Sequence, residues 1–330
     1  MKHANISLFV PFGGCPQICS FCNQKTIAGA EKQPTPEELS EKVKQSLSKL
    51  DREKYSAEIA FFGGSFTALN REYMCSLLEA VQPALEDPGV SGIRVSTRPD
   101  AVEAEVLRLL MYYHVTAVEL GAQSMDDRVL KLNRRGHTAE EVRTAARLIR
   151  SAGLELGLQM MTGLYGDTDE QALETARELV ALRPDTVRIY PTIVLQGTHL
   201  EELYRGGEYA PQTLPEAVAL SGRLLELFEE ARVPVIRLGL HDGTELERER
   251  VAGPYHPAFR ELCESERFFR RIIDALAGHP KGKWTVEVHP RFLSVAVGQR
   301  KSNLNRLQAM GYEVQFRGNP EIARGEFKIL

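Results

Sequence analysis

Short apolar runs alternate six times with segments of helical periodicity in the first 240 residues, and this alternation most constrains the fold. Between the runs, apolar residues recur at helical spacing, as at Leu39, Val43 and Leu47. The pattern predicts a parallel sheet covered by helices, because strands buried on both faces are almost continuously apolar. A further run at 233–238 is a candidate seventh strand. The six runs are NISLFV (5–10), EIAFF (58–62), GIRVST (92–97), TAVEL (116–120), LELGLQMM (154–161) and TVRIY (186–190).

Three of the predicted helices begin with the sequence pattern of a capping box. In this pattern a threonine hydroxyl accepts a hydrogen bond from a backbone N–H of the first turn, and a carboxylate or amide three residues later bonds back. The pairs are Thr35 with Glu38, Thr138 with Glu141 and Thr168 with Gln171.

A parallel sheet of this kind is built either as a doubly wound sheet or as a β/α barrel. The sequence contains neither the GxGxxG turn of dinucleotide-binding sheets nor the GxxxxGK[ST] loop of nucleotide triphosphatases. We therefore expect a full or partial β/α barrel. Its functional groups would lie on the loops that follow the carboxyl ends of the strands.

The length of 330 residues, 43% of them hydrophobic, suffices for one large domain and a smaller one. We predict a barrel over residues 1–240 and a C-terminal extension with a small basic α+β domain over residues 241–330. No apolar run is long enough to span a bilayer, and the first twenty residues lack the pattern of a secretory signal, which predicts a cytoplasmic protein without membrane contact.

Three of the five cysteines, Cys15, Cys19 and Cys22, lie within GGCPQICSFCNQ, directly after the first predicted strand. Such clustering is unlike a disulfide framework, and thiolates at short spacing can converge on zinc or on an iron–sulfur cluster. A structural zinc site needs a fourth protein ligand, which would have to be recruited from elsewhere in the chain. The candidates for that ligand are His3, Cys75 and Cys263. Three thiolates alone suit a four-iron cluster with one iron open to a small ligand. Cys75 and Cys263 lie in helical patterns and are expected to be small buried hydrophobes.

The CxxxCxxC spacing, with Phe21 before the last cysteine, resembles the cluster loop of the radical S-adenosylmethionine superfamily. The segments FFGGSFTAL, STRPD, ELGAQS, LNRRGH, LQMMTGLYGDT and RIYPTIVLQGT follow in the order expected for it, so that the resemblance covers about residues 5–205. Within the superfamily the chain resembles the radical domain of the elongator catalytic subunit family and, more distantly, oxygen-independent coproporphyrinogen oxidase. The elongator proteins have a longer spacing between the first two cysteines and an acetyltransferase domain, for which the roughly 90 residues after the barrel are too few.

The resemblance implies a partial TIM-like (β/α)6 radical SAM barrel that uses a [4Fe-4S] cluster and S-adenosylmethionine. In such enzymes an electron from the cluster cleaves the cofactor to a 5′-deoxyadenosyl radical, which takes a hydrogen atom from the substrate. A low-potential electron donor of the flavodoxin or ferredoxin type is implied as a partner.

The resemblance also implies a role for individual residues. The cluster ligands would be Cys15, Cys19 and Cys22. The turn Gly63-Gly64-Ser65 would approach the methionine amino group, and Arg135, which sequence alone could confuse with Arg134, would lie near the methionine carboxylate. The remaining cofactor contacts would be Thr97, Gln123 and Gln159 at the ribose, and Phe21 and Tyr190 near the adenine, where Tyr190 could equally be barrel packing.

The substrate is suggested only by the C-terminal segment. Residues 277–330 carry nine basic and four acidic residues, whereas the whole chain has a net charge of −4. Aromatic residues lie among these charges, a pattern that can track phosphates and stack bases, so RNA is the preferred partner. The alternatives are a small molecule such as a tetrapyrrole, a peptide, a tail whose charges are only solvated, and a non-catalytic iron–sulfur sensor that binds RNA.

Overall fold

The fold was analysed in a computed structural model, which describes residues 2–11, 14–16, 18–23, 32–241 and 243–330. The ends of the cysteine-rich stretch, Gly13 and Gln24, lie outside the described residues, as does Gln17 within it. Asp242, in the stretch predicted to link barrel and tail, is also outside them.

Seven strands form one parallel sheet in the order β1-β2-β3-β4-β5-β6-β8, and the sheet curls into a half-barrel. This confirms the predicted partial barrel, and the run at 233–238 does provide a seventh strand. The strands are β1 (Lys2–Val10), β2 (Tyr55–Gly63), β3 (Val90–Thr97), β4 (Val115–Gln123), β5 (Glu155–Thr162), β6 (Thr186–Pro191) and β8 (Val235–Leu238). A short β7 (Val194–Leu195) pairs antiparallel with β9 (Arg250–Ala252) beside this sheet.

Helices connect the strands and cover the outer face of the sheet. The bounds are α1 (Pro36–Ser48), α2 (Arg71–Val81), α3 (Ala104–Tyr112), α4 (Asp127–Leu132), α5 (Ala139–Ser151), α6 (Asp169–Ala181), α7 (His199–Arg205), α8 (Leu214–Glu230), α9 (Thr244–Glu249), α10 (Phe259–Leu276), α11 (Leu293–Val297) and α12 (Ser302–Ala309). The main core lies between the outer face of the strands and helices such as α1, α2 and α5, and Leu8, Ile59 and Leu156 are fully buried there. Helices α11 and α12 instead pack in the core of the C-terminal sheet.

The inner face of the half-barrel is polar, which the mostly apolar strand sequences did not predict. Successive side chains of a strand point to opposite faces, so Glu58 alternates with the core residues Ala57 and Ile59. Arg94 on β3, Glu119 on β4 and Arg188 on β6 interrupt their apolar strands in the same way and are all buried. The apolar runs therefore specify the helix-packed face, and the charged residues within them specify the other.

The predicted capping boxes of α1 and α5 are confirmed, since each threonine and its partner bond reciprocally. The third predicted capping box, at α6, forms only one of its two hydrogen bonds. Thr168 does accept from the Gln171 backbone, but the Gln171 side chain turns away and donates Nε2–H to Asp126 Oδ2 at 2.5 Å. The Asp126 carboxylate thus takes the Gln171 side chain that would otherwise have bonded to the Thr168 backbone. Thr213 and Glu216 form a further box, at α8, that the sequence analysis missed.

The C-terminal segment folds as a small three-stranded sheet with its own core. Strand β10 (Gly282–Val288) lies between β11 (Tyr312–Gly318), which is parallel to it, and β12 (Phe327–Ile329), which is antiparallel. Helix α10 joins the two cores: its Cys263 packs in the barrel core, and its Phe268 and Ile272 pack in the core of the small sheet. The division at residue 240 stays a prediction. Among the described residues, no helix has both the length and the apolarity to cross a lipid bilayer.

Candidate functional site

A cavity of about 610 Å³ opens at the carboxyl ends of the barrel strands, where parallel sheets place their functional loops. It brings together residues from the cysteine loop, from strands β1 to β6 or the loops after them, and from the segment after β8. The cavity is lined by eleven of the twelve residues implied by the family resemblance: Cys15, Cys19, Phe21, Cys22, Gly63, Gly64, Thr97, Gln123, Arg135, Gln159 and Tyr190. Ser65 is not part of this wall.

Ser65 lies behind the cavity wall and is fully buried. Its hydroxyl is 2.9 Å from Thr97 Oγ1 and accepts a hydrogen bond from the Arg98 backbone N–H at 3.2 Å. The hydroxyl therefore holds the end of β3 in place. Of the residues in the predicted glycine turn, only Gly63 and Gly64 line the cavity.

Close backbone packing explains the glycines at this turn. Gly63 has φ of +115°, and a Cβ atom there would lie 2.9 Å from the carbonyl oxygen of Val10. A Cβ atom on Gly14, at φ of +69°, would lie 2.1 Å from the carbonyl oxygen of Ser65. Only glycine fits either position without displacing backbone, so the start of the cysteine loop sits directly against the glycine turn.

The cysteine loop is tied to the rest of the barrel at several points. The Leu200 backbone N–H donates to the Ser20 carbonyl at 2.8 Å, and Asn23 Nδ2 donates to the Gln196 carbonyl at 2.9 Å. Phe21 packs against a small apolar cluster that includes Leu200 and Tyr209. The loop thus reaches across the cavity mouth to the segment after β6.

Arg135, rather than Arg134, points into the site. Arg134 is exposed, whereas Arg135 is 6% exposed and lines the cavity. Its Nη1 donates to Cys19 Sγ at 3.2 Å and its Nη2 to the Gly121 carbonyl at 2.6 Å. Its Nε is buried and has no hydrogen-bond partner within the described part of the chain.

Gln123 ends β4 in a left-handed conformation, with φ of +68°, although it is not glycine. Such backbone is uncommon and is found disproportionately at functional sites. Gln123 is 4% exposed, and its Oε1 has no hydrogen-bond partner among the residues described. A buried acceptor at the cavity wall is thus available to a ligand hydroxyl.

The cavity wall also contains charged residues that sequence reasoning missed, among them Glu119 and Arg188. Glu119 and Arg188 form an ion pair, and the Arg188 guanidinium lies over the Phe62 ring at 5.1 Å. Burial raises the pKa of the Glu119 carboxyl, and the guanidinium groups of Arg188 and Arg94 oppose that shift. The signal available in the sequence was a charged residue in the middle of an otherwise apolar strand.

The three candidates for a fourth zinc ligand lie away from the cavity wall. His3 is on β1, within 3.5 Å of Glu58, Cys263 is in the core, and Cys75 is on α2. Cys75 is only half-buried, which corrects its prediction as a buried hydrophobe. Among the described residues, no three histidine, cysteine or acidic side chains already converge as a metal-binding group.

The residues present fit a cluster with a bound cofactor. Three cysteines supply soft ligands on one wall of the cavity, and the glycine turn allows close approach of a ligand to backbone. The buried Oε1 of Gln123 and the Nε of Arg135 offer an acceptor and a donor that the described protein groups leave unused. A parallel half-barrel with this constellation defines the class of iron–sulfur enzymes that act through S-adenosylmethionine.

The chain belongs to the Radical SAM superfamily, whose family model matches residues 9–179, just over half of its length. A model of the Radical_SAM C-terminal domain matches residues 184–268. Members of this superfamily use a [4Fe-4S] cluster and S-adenosylmethionine, and the chain is accordingly a radical SAM enzyme.

Two curated relatives illustrate where the similarity lies. The tRNA uridine(34) acetyltransferase of Methanocaldococcus jannaschii is 26% identical over 229 residues, which cover 63% of this chain and 42% of that protein. Elongator complex protein 3 of Homo sapiens is 29% identical over 203 residues, covering 56% of this chain and 37% of that protein. The chain thus spans about two fifths of the length of these relatives.

The solved structure of Methanocaldococcus infernus Elp3, with its N-terminus deleted, has a similar fold. The TM-score is 0.62 at 20% sequence identity, and the match covers 84% of this chain and 63% of that chain. The similarity extends beyond the barrel strands into the C-terminal part.

Proposed function

We propose that this chain is a radical SAM enzyme that binds its [4Fe-4S] cluster through Cys15, Cys19 and Cys22 and acts on RNA. The observation that carries the proposal is that these three cysteines line the same cavity as the glycine turn, Gln123 and Arg135.

Within this proposal the bound cofactors supply the difficult chemistry: one electron cleaves S-adenosylmethionine to methionine and a 5′-deoxyadenosyl radical that removes a hydrogen atom from the substrate. The electron would come from a low-potential donor of the flavodoxin or ferredoxin class. The protein binds and orients. Gln123 and Gln159 would bond to ribose hydroxyls, the Gly63-Gly64 turn would receive the methionine amino group, and the Arg135 guanidinium would bond to the methionine carboxylate.

RNA as substrate is supported by two observations. The relatives named above include a tRNA uridine(34) acetyltransferase, to which this chain is similar over 229 residues. In the short 3-10 turn directly before α12, Arg300 and Lys301 are exposed, and neither forms an ion pair with another described residue. By contrast, Arg306 of the same segment pairs with Glu266 and packs over Phe269. Arg300 and Lys301 are therefore the better candidates for phosphate contacts.

A tetrapyrrole is less well supported. Its carboxylates would require several uncommitted arginines at the cavity, but Arg98 is bonded to Asp100 through both Nε and Nη2, and Arg188 is paired with Glu119. A non-catalytic sensor would not require the Oε1 of Gln123 and the Nε of Arg135, which have no partner among the described residues, at the cavity wall.

RNA binding is tested with a double charge reversal, Arg300→Glu with Lys301→Glu. We expect affinity for an unmodified tRNA transcript to fall about tenfold at moderate salt, because two phosphate contacts are lost. Between about 50 and about 200 mM salt, the slope of log affinity against log salt should become shallower by roughly one to two.

The matched control is Lys44→Glu with Lys49→Glu, which changes the net charge equally but lies in and directly after α1. Its affinity should fall much less. Equal losses in both double variants would indicate a general charge effect, and no loss in the first would contradict an RNA contact at these residues.

A further inference from the structure

Asn133 is a completely buried asparagine whose side chain joins three segments of the barrel. Its Nδ2 donates to the carbonyl of Val129 at 2.8 Å and to the carbonyl of Tyr165 at 2.9 Å. Its Oδ1 accepts from the hydroxyl of Ser20 at 2.9 Å and from the backbone N–H of Tyr165 at 3.3 Å. Both donors and both acceptor positions of the amide are therefore used.

The contact with Ser20 places this network directly beside Cys19. The Ser20 backbone N–H also donates to the Asn133 carbonyl, at 3.0 Å, so Ser20 is held through both its backbone and its fully buried side chain. Two residues after Asn133, Arg135 reaches the Cys19 sulfur. One short segment thus fixes the cysteine loop on either side of the Cys19–Ser20 peptide.

No other side chain of similar size can make this set of bonds. Alanine would leave the Ser20 hydroxyl and the backbone groups of Tyr165 buried without their present partner, which costs far more than an exposed hydrogen bond. Aspartate would lose both donors and bury a charge.

We propose that Asn133 is a positioning residue, which holds Cys19 in place for cluster binding and holds Arg135 against its sulfur. This inference rests on the proposed function for the cluster, and it adds a determinant of cluster environment outside the cavity wall. Hydrogen bonds to a cluster sulfur and the rigidity of its loop both affect the reduction potential.

The experiment compares Asn133→Ala and Ser20→Ala with Asn303→Ala. Asn303 is a matched control because it is 2% exposed and its Nδ2 also donates to buried acceptors, including Ser265 Oγ and the carbonyls of Val295 and Ala296, but in the C-terminal core. The first readout is the iodoacetamide alkylation rate of Cys19 in anaerobic cluster-free protein, measured by mass spectrometry relative to Cys75. The second is the midpoint potential and EPR line shape of the reconstituted cluster.

Asn133→Ala should raise the alkylation rate of the buried Cys19 on the order of tenfold, since local opening exposes the thiol. Ser20→Ala removes a single bond and should raise it about threefold. The potential and line shape should change in these two variants. In Asn303→Ala all three quantities should stay at the wild-type value, although its global stability falls.

An unchanged Cys19 rate in Ser20→Ala and Asn133→Ala would overturn the proposal, as would an equal rise in Asn303→Ala. If Asn133→Ala does not fold, Ser20→Ala alone decides the question. A wild-type chain that takes up no cluster would contradict the proposed function, whereas the alkylation comparison would still support or overturn the positioning role.

Discussion

The inner face of the half-barrel and the small C-terminal sheet both carry opposite charges, but they arrange them differently. In the half-barrel, Arg188 and Glu119 form an ion pair, and their side chains are only 6% and 2% exposed. A second buried pair joins Arg94 and Glu58 at 2.6 Å. On the C-terminal sheet, Lys283 and Glu313 are 4.0 Å apart with side chains 87% and 62% exposed.

This difference in burial distinguishes charges that stabilise the fold from charges that are free to contact a binding partner. A buried charge that loses its partner is destabilising, whereas an exposed pair contributes little and is screened by salt. The inner charges therefore stabilise the cavity wall through their pairing, and the exposed charges of the tail are those that the proposed RNA contact would use. The comparison can be tested region by region.

The largest difference is expected from Arg188→Met, which keeps much of the side-chain volume over Phe62 but leaves Glu119 without its partner. We expect the free energy of unfolding to fall by about 3–5 kcal/mol, as for other broken buried pairs. Denaturant unfolding of the cluster-free protein measures it.

Two controls sharpen this prediction. Lys283→Met, at the exposed pair of the C-terminal sheet, should change stability by less than about 1 kcal/mol. Adding Glu119→Gln to Arg188→Met should restore part of the loss, because no uncompensated charge remains. Equal effects of Arg188→Met and Lys283→Met would show that the two regions do not differ as described.

A smaller effect on the free energy of unfolding is expected when the pH is lowered and His137 is protonated. Burial, reinforced by Arg135, lowers the pKa of His137 to about 4, and its Nε2 lies 3.2 Å from the Ala122 carbonyl. Because the folded-state pKa lies below the unfolded value near 6.5, the folded state favours neutral imidazole. Its contribution is complete above about pH 6.5 and is lost as the pH falls towards 4, by up to roughly 3 kcal/mol.

His137→Gln should therefore flatten the stability curve between about pH 6.5 and about pH 4, with stability measured by denaturant unfolding at each pH. The control is His279→Gln, since His279 is exposed and its ring packs edge-to-face against Trp284 of the C-terminal sheet. Its curve should keep the wild-type slope. A slope unchanged in His137→Gln would rule out His137 as the source.

The structural features that depend on a local pattern of residues could be predicted from the sequence. Alternating apolar runs and helical periodicity identified the strands of the half-barrel, because burial against helices demands that pattern along the chain. The cysteine spacing and the family resemblance picked out residues that the structure places around one cavity, and their role as cluster and cofactor ligands stays a prediction.

What the sequence could not predict depends on contacts between distant segments. Gln171 was expected to complete a capping box, but Asp126, on another loop, offers a competing acceptor. Glu119 and Arg188 look like isolated charges until the sheet brings β4 and β6 to either side of β5, where the two side chains pair. Likewise, Asn133 gives no signal in the sequence, since its role arises from folding Ser20 and Tyr165 against it.

The proposed function requires that Cys15, Cys19 and Cys22 hold a cluster that cleaves S-adenosylmethionine. The most direct test is anaerobic: reconstitute the protein with iron and sulfide, add dithionite and S-adenosylmethionine, and measure 5′-deoxyadenosine by mass spectrometry. The wild type and the control Cys75→Ala should form it, and Cys19→Ala should form none while unfolding as cooperatively as the wild type. Product from Cys19→Ala at the wild-type rate, or none from wild type carrying an intact four-iron cluster, would contradict the account.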